Sequence, residues 1–128
     1  MEWFLLKSEM KIDKRKIGHL GEKIAEDYLK RKKYKIIEKN FQNRFGEIDL
    51  VALDKNQLVF VEVKLKRSKN FGLPEEEFNF FKKRKLKRVI NSYLIEKKLN
   101  EKEWRVDLIA IEINEDEPII RHYQAVEI

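Results

Sequence analysis

The sequence predicts a mixed α/β (α+β) domain in which helices flank a central mixed sheet. Three observations carry that expectation. An amphipathic helix comes first, two strands of nearly continuous apolar character follow across a short polar link, and a second amphipathic helix leads into another buried strand. Helix, three strands, helix and strand, in that order, can bury their apolar faces only as layers around a sheet.

The first helix is expected from Ile17. Ile17, Leu20, Gly21, Ile24, Ala25, Tyr28 and Leu29 recur at steps of three and four and form one apolar stripe. Glu22 lies at the edge of that stripe, and Arg31-Lys32-Lys33 closes the helix where positive charge suits its dipole. Strands are expected at Tyr34 to Glu38, Gly46 to Leu53 and Leu58 to Leu65. The link Asp54-Lys55-Asn56-Gln57 is short and polar, as an antiparallel hairpin requires. The second and third strands have few polar positions, which implies burial on both faces. A loop with Gly72 and Pro74 precedes a helix whose stripe is Leu86, Val89, Ile90, Tyr93 and Leu94, with Asn79 as its expected cap. Trp104 to Ile113 reads as a buried strand, and a short last strand is expected from Ile119 to Val126. Residues 1–16 read as an extension and 17–128 as one domain. The extension's apolar patch, Trp3 to Leu6, could pack on the domain or on a second copy, so the oligomeric expectation is monomer or homodimer.

Hydrophobic residues make up 42% of the 128, enough for a core, and charged residues 41%, well above the usual quarter. There is no cysteine, which removes disulfides, thiolate nucleophiles and thiolate zinc sites and suits a reducing cytoplasm. His19 and His122 stand too far apart in sequence for a ligand spacing. No apolar run approaches the roughly 18 residues of a membrane span. The expectation is therefore a cytoplasmic protein with no membrane partner. Net charge is +6; Lys64 to Arg88 holds ten Lys/Arg against three Glu, a balance of +7, so the remainder sums to −1. A basic stretch in an otherwise neutral chain points to a polyanion, although a solvated helix face would read the same way.

Side chains alternate along a strand, so Glu47 with Asp49, and Glu62 with Lys64, share faces of neighbouring strands. Charged groups inside apolar strands are costly unless paired or metal-bound. Asp49 and Glu62 together make a hard oxygen site of the kind Mg²⁺ takes. Lys64, two residues beyond Glu62, is placed to orient a water or to offset charge on a phosphate. The bland alternative is a buried ion pair without catalysis.

The same residues resemble the PD-(D/E)xK signature of the restriction-endonuclease-like superfamily: Asp49, then Glu62-Val63-Lys64, with Ile48 where that signature has proline. The resemblance implies an αβββαβ core and Mg²⁺- or Mn²⁺-dependent phosphodiester cleavage. Gly21-Glu22 resembles the first helix of the archaeal Holliday-junction resolvases, which makes Glu22 a candidate catalytic or supporting residue. The blocks Arg44-Phe45-Gly46-Glu47-Ile48-Asp49-Leu50 and Phe60-Val61-Glu62-Val63-Lys64, with Asn40, Gly72, Pro74, Glu76, Lys82 to Leu86 and Arg105-Val106-Asp107, are similar to the YraN-like family of small bacterial proteins. Lys83 stands where that family usually has Gln.

The catalytic set expected is thus Asp49, Glu62, Lys64 and Glu22, with Asp49 and Glu62 as metal ligands. Arg44, Lys66, Arg67, Lys82, Lys83 and Arg84 are the expected phosphate contacts, and DNA is the expected partner ahead of RNA. Phe78, Phe80 and Phe81 could stack on bases, but core or helix packing is the expectation at this spacing. Glu47 is expected in a salt bridge at the strand start, and Asp107 in a structural role. The leading functional expectation is a metal-dependent nuclease acting on DNA, with branched or damaged DNA among the candidates. A non-catalytic nucleic-acid-binding module and a protein-interaction module are the alternatives.

Overall fold

A computed structural model describes residues 14–67, 72–114 and 116–128. The patch at Trp3 to Leu6 lies outside them. Helix α1 spans Lys14–Arg31, so it starts ahead of the Ile17 expected. Strands β1 (Lys35–Asn43), β2 (Gly46–Asp54) and β3 (Gln57–Lys66) follow. A short 3₁₀ turn at Pro74–Glu77 leads into α2 (Phe80–Glu96), and β4 (Trp104–Glu112) and β5 (Ile119–Tyr123) close the chain. Asn79 caps α2 as expected, its side chain accepting from the Lys82 amide at 3.1 Å.

The five strands form one sheet in chain order, antiparallel throughout except for the parallel pair β3–β4. That parallel pairing needs a crossover, and α2 supplies it. Helix α1 covers one face of the sheet: Leu20, Ala25 and Leu29 pack with Leu50, Ala52, Val59, Val61, Ile109 and Ile111. Helix α2 covers the other, with Leu86, Val89, Ile90, Tyr93 and Leu94 against Phe41, Val51, Leu58, Phe60 and Leu108. Burial of both faces is why β2, β3 and β4 are almost wholly apolar.

The main departure from expectation is β1, which runs on to Asn43 instead of ending at Glu38. Its pairing with β2 passes from Lys39↔Leu50 to Phe41↔Ile48, and Asn40 between them has a left-handed backbone with φ 53°. Asn is among the few residues that take this conformation readily. Across from it the pleat of β2 is also disturbed: Ile48 and Val51 both join the α2-side core while Leu50 joins the α1 side. Strict alternation would have put Ile48 and Leu50 together. Asp49 sits at this irregularity. The β1–β2 turn requires glycine at position 46, where φ is +146°, a backbone conformation that L side chains rarely adopt. The last strand ends at Tyr123, short of Val126.

Candidate metal and phosphate site

Pairing of β2 with β3 runs from Asp54↔Gln57 to Leu50↔Val61 and stops short of Asp49. There the Asp49 side chain takes over from the backbone, its Oδ2 accepting the Val63 amide at 2.8 Å. This bond draws the carboxylate across to β3, next to Glu62, whose carboxyl it helps to push upward. Lys64 lies on the same side of β3, its Nζ 4.0 Å from Glu62 Oε2; the two side chains are 19% and 13% exposed. Asp49, Glu62 and Lys64 thus come together as expected, with the Asp49 side-chain bond to Val63 completing what the pairing of β2 with β3 leaves open.

Glu22 reaches the same neighbourhood from α1. Its delivery depends on Gly21, where a Cβ would come within 3.2–3.3 Å of Leu65, so the helix passes closer to β3 than a larger residue would allow. Burial, then the charges of Asp49 and Glu47, push the Glu22 carboxyl up to about 7. Its Oε1 is buried with no hydrogen-bond partner, while Oε2 lies 3.9 Å from His19 Nδ1. The Glu62 carboxyl is pushed well above the ordinary carboxylate range by burial first and then by Asp49, against a smaller opposing pull from Lys64 and Lys82. Burial and acidic neighbours thus hold both carboxyls toward their protonated forms, and a bound cation would favour their ionisation.

This crowding of carboxyls, the all-oxygen donors and the Glu22 oxygen left without a partner among the described residues fit a hard divalent cation such as Mg²⁺ or Mn²⁺. Asp49 and Glu62 are the residues that would hold it. Among the described residues no three His, Cys, Asp or Glu side chains converge into a ready ligand set. Glu22 is accordingly a neighbour acting through charge, and remaining ligand positions would fall to water and substrate oxygens.

The cluster forms the floor of an open cleft of about 430 Å³ whose rim includes Arg44, Gly46, Glu47, Lys82 and Lys85. Of the expected phosphate contacts, Arg44 and Lys82 border this cleft, and the Arg44 guanidinium lies over the Phe45 ring at 4.8 Å. Lys83 and Arg84 turn instead toward an adjoining groove, over the rings of Phe78 at 5.5 Å and Phe80 at 5.6 Å. Lys66 is ion-paired with Glu77 at 2.9 Å, and Arg67 follows at the exposed end of β3. Lys85 was not among the expected contacts, yet it lines both depressions.

Two other expectations need correction. Phe78 is buried, but Phe80 and Phe81 are exposed, because they occupy the first turn of α2 before its buried stripe begins at Leu86. Glu47 accepts a hydrogen bond from Gln42 Nε2 at 2.9 Å in place of the salt bridge expected. Asp107 is structural as expected, fully buried and held by Arg105 and His122.

Fold and site together define an αβββαβ domain with a carboxylate–carboxylate–lysine cluster where β2 leaves its pairing with β3, the arrangement of the restriction-endonuclease-like superfamily. Residues 21–111 match the uncharacterised protein family UPF0102, and the chain belongs to that YraN-like family. It is 47% identical to a UPF0102 protein of Caldanaerobacter subterraneus subsp. tengcongensis, over 81% of this chain and 85% of the relative. A UPF0102 protein of Carboxydothermus hydrogenoformans is 43% identical over 90% of this chain and 98% of its own length. A third, from Thermodesulfovibrio yellowstonii, is 47% identical over 74% and 84%. No helix among the described residues is long and apolar enough to cross a membrane.

Proposed function

We propose that the protein is a Mg²⁺- or Mn²⁺-dependent nuclease that hydrolyses phosphodiester bonds in DNA, branched or damaged DNA included, in the cytoplasm. The observation that carries this reading is the shared position of Asp49, Glu62 and Lys64 on the floor of an open cleft rimmed by Arg44, Lys82 and Lys85. A bound divalent ion would supply Lewis-acid polarisation of the phosphoryl oxygen and a more acidic water. Asp49, fixed by the Val63 amide, and Glu62 would hold that ion. Lys64 carries a donor toward the attacking water or a phosphate oxygen, where developing charge is best offset by a group already in place. Arg44, Lys82 and Lys85 would hold neighbouring phosphates, contacts that position a strand without reading its sequence. Glu22 stands behind the carboxylate pair as a further acid whose ionised form a bound cation would favour.

The test is purified protein on linear, nicked, flapped and four-way DNA with Mg²⁺ or Mn²⁺. Cleavage that disappears in Asp49→Asn and Glu62→Gln supports the reading. No cleavage of any substrate, with metal calorimetry unchanged in Asp49→Asn, rejects it. A second reading is favoured by the basic residues that line both depressions, Arg44 and Lys85 among them. In it the domain binds nucleic acid without turnover. Binding would then survive Asp49→Asn, weaken steeply with salt, and fall when Lys82, Lys83 and Arg84 are neutralised.

A further inference from the structure

Helix α2 begins with two phenylalanines that stay largely exposed, Phe80 with the Arg84 guanidinium over its ring at 5.6 Å. Phe80 and Phe81 are 64% and 77% exposed, and their rings meet edge to face with centroids 5.7 Å apart. Two adjacent large apolar side chains left in water forgo a substantial part of their burial energy, so a pair of this kind is expected to have a contact elsewhere. The surroundings say which kind. Phe80 and Phe81 line a groove of about 840 Å³ with Lys83, Arg84, Lys87 and Arg88, and no Asp or Glu side chain among the described residues borders it. Arg44, Phe45 and Lys85 line both this groove and the cleft of Asp49, Glu62 and Lys64, so the two depressions share a wall.

We infer that Phe80 and Phe81 are a stacking platform for unpaired bases, and that the substrate of the neighbouring cleft is nucleic acid with a single-stranded stretch beside the scissile phosphate. The inference rests on the nucleic-acid reading of that cleft. It goes further because duplex DNA presents its phosphates and hides its base faces, and needs only the lysines. An apolar protein partner would use the rings and gain nothing from so many cations. Only an unpaired strand offers, in each repeat, an aromatic face for a ring and a phosphate for a cation. Its bases would rest on Phe80 and Phe81 while its backbone follows Lys85 and Arg44 from one depression to the other.

The experiment is fluorescence anisotropy of a labelled oligo(dT) strand and of a labelled blunt duplex, with wild type, the Phe80→Ala/Phe81→Ala double variant and the Phe80→Trp/Phe81→Trp double variant. Both side chains are exposed, so the variants should fold, and circular dichroism melts verify it. The double alanine variant is expected to bind the single strand about fivefold or more weakly, as loss of one stacked base would give. Its duplex affinity should be unchanged, and the tryptophan variant should restore single-strand binding. Unchanged single-strand affinity in the alanine variant overturns the platform, and if its mass in light scattering falls instead, the pair is a contact between two copies. Equal weakening for both probes also overturns it. Wild type that binds neither probe at low salt removes the nucleic-acid reading itself, a failure distinct from that of the platform.

Discussion

Two clusters of charge are buried in this sheet, and they are built in opposite ways. Around Asp107 every demand is met. The carboxylate receives Arg105 Nε at 2.9 Å, His122 Nε2 at 2.7 Å and the Ala125 amide at 3.2 Å. Arg105 goes on to Gln57, Asp54 and the Tyr34 hydroxyl. Burial works against the Asp107 charge, but the hydrogen bonds from His122 and Arg105 outweigh it and the carboxyl is held below its ordinary range. At the other cluster, Glu22 and Glu62 are both pushed upward, and one oxygen of Glu22 has no partner. Buried polar groups are costly unless satisfied. A saturated cluster is therefore a structural device, and an unsaturated one facing an open cleft is a site that gains from a ligand.

The largest expected contrast is in stability. Asp107→Ala strands Arg105 and His122 and should cost about 3–5 kcal/mol, read from urea denaturation. Glu62→Gln, which replaces a carboxyl that burial already disfavours as an anion, should leave the same midpoint unchanged or raise it. A comparable loss for both would erase the distinction. Next in size is Gly46→Ala: its positive φ predicts a loss of about 1–3 kcal/mol, since the strain is of backbone origin. A neutral result would mean that the turn at the rim of the cleft can relax.

Acid response separates the saturated and unsaturated groups by sign. Hydrogen bonds from Arg121, and to a smaller extent from Tyr123, hold Glu75 down to about 2. Its contribution is complete above the unfolded value of about 4.5 and fades as pH falls toward 2. Thermal melts of Glu75→Gln should lack that part of the acid slope. Glu22 acts in the other direction: with its folded value near 7, it binds more protons folded than unfolded, and stability should decline as pH rises from about 4.5 to 7. Glu22→Gln should flatten that interval. If it flattens the acid limb instead, Glu22 is a paired group and belongs with the saturated kind.

Much of this was readable in the residues. The helix stripes ending at Leu29 and Leu94, and the hairpin around Lys55, follow from periodicity and polarity that burial in a two-sided sheet imposes. Asp49, Glu62 and Lys64 stood out because charge in a buried strand demands a reason. What was hidden depends on contacts distant in the chain or on local irregularity. The stretch Lys39-Asn40-Phe41-Gln42-Asn43 is too polar to read as strand, and the kink at Asn40 belongs to pairing that propensity does not report. Tyr34 meets the Asp107 network across 73 positions of sequence. Phe80 and Phe81 carry the same hydrophobic signal as core residues, and only the docking of α2 reveals that its first turn stays outside.

Calorimetric titration of Mn²⁺ into wild type, Asp49→Asn and Glu62→Gln, alongside melts of the same metal-free proteins, tests the central claim most directly. The account predicts that wild type binds the ion and is stabilised by it, while each variant loses binding yet melts, without metal, at or above the wild-type temperature. Equal Mn²⁺ binding by wild type and Asp49→Asn, or a metal-free Asp49→Asn as unstable as Asp107→Ala, would contradict it.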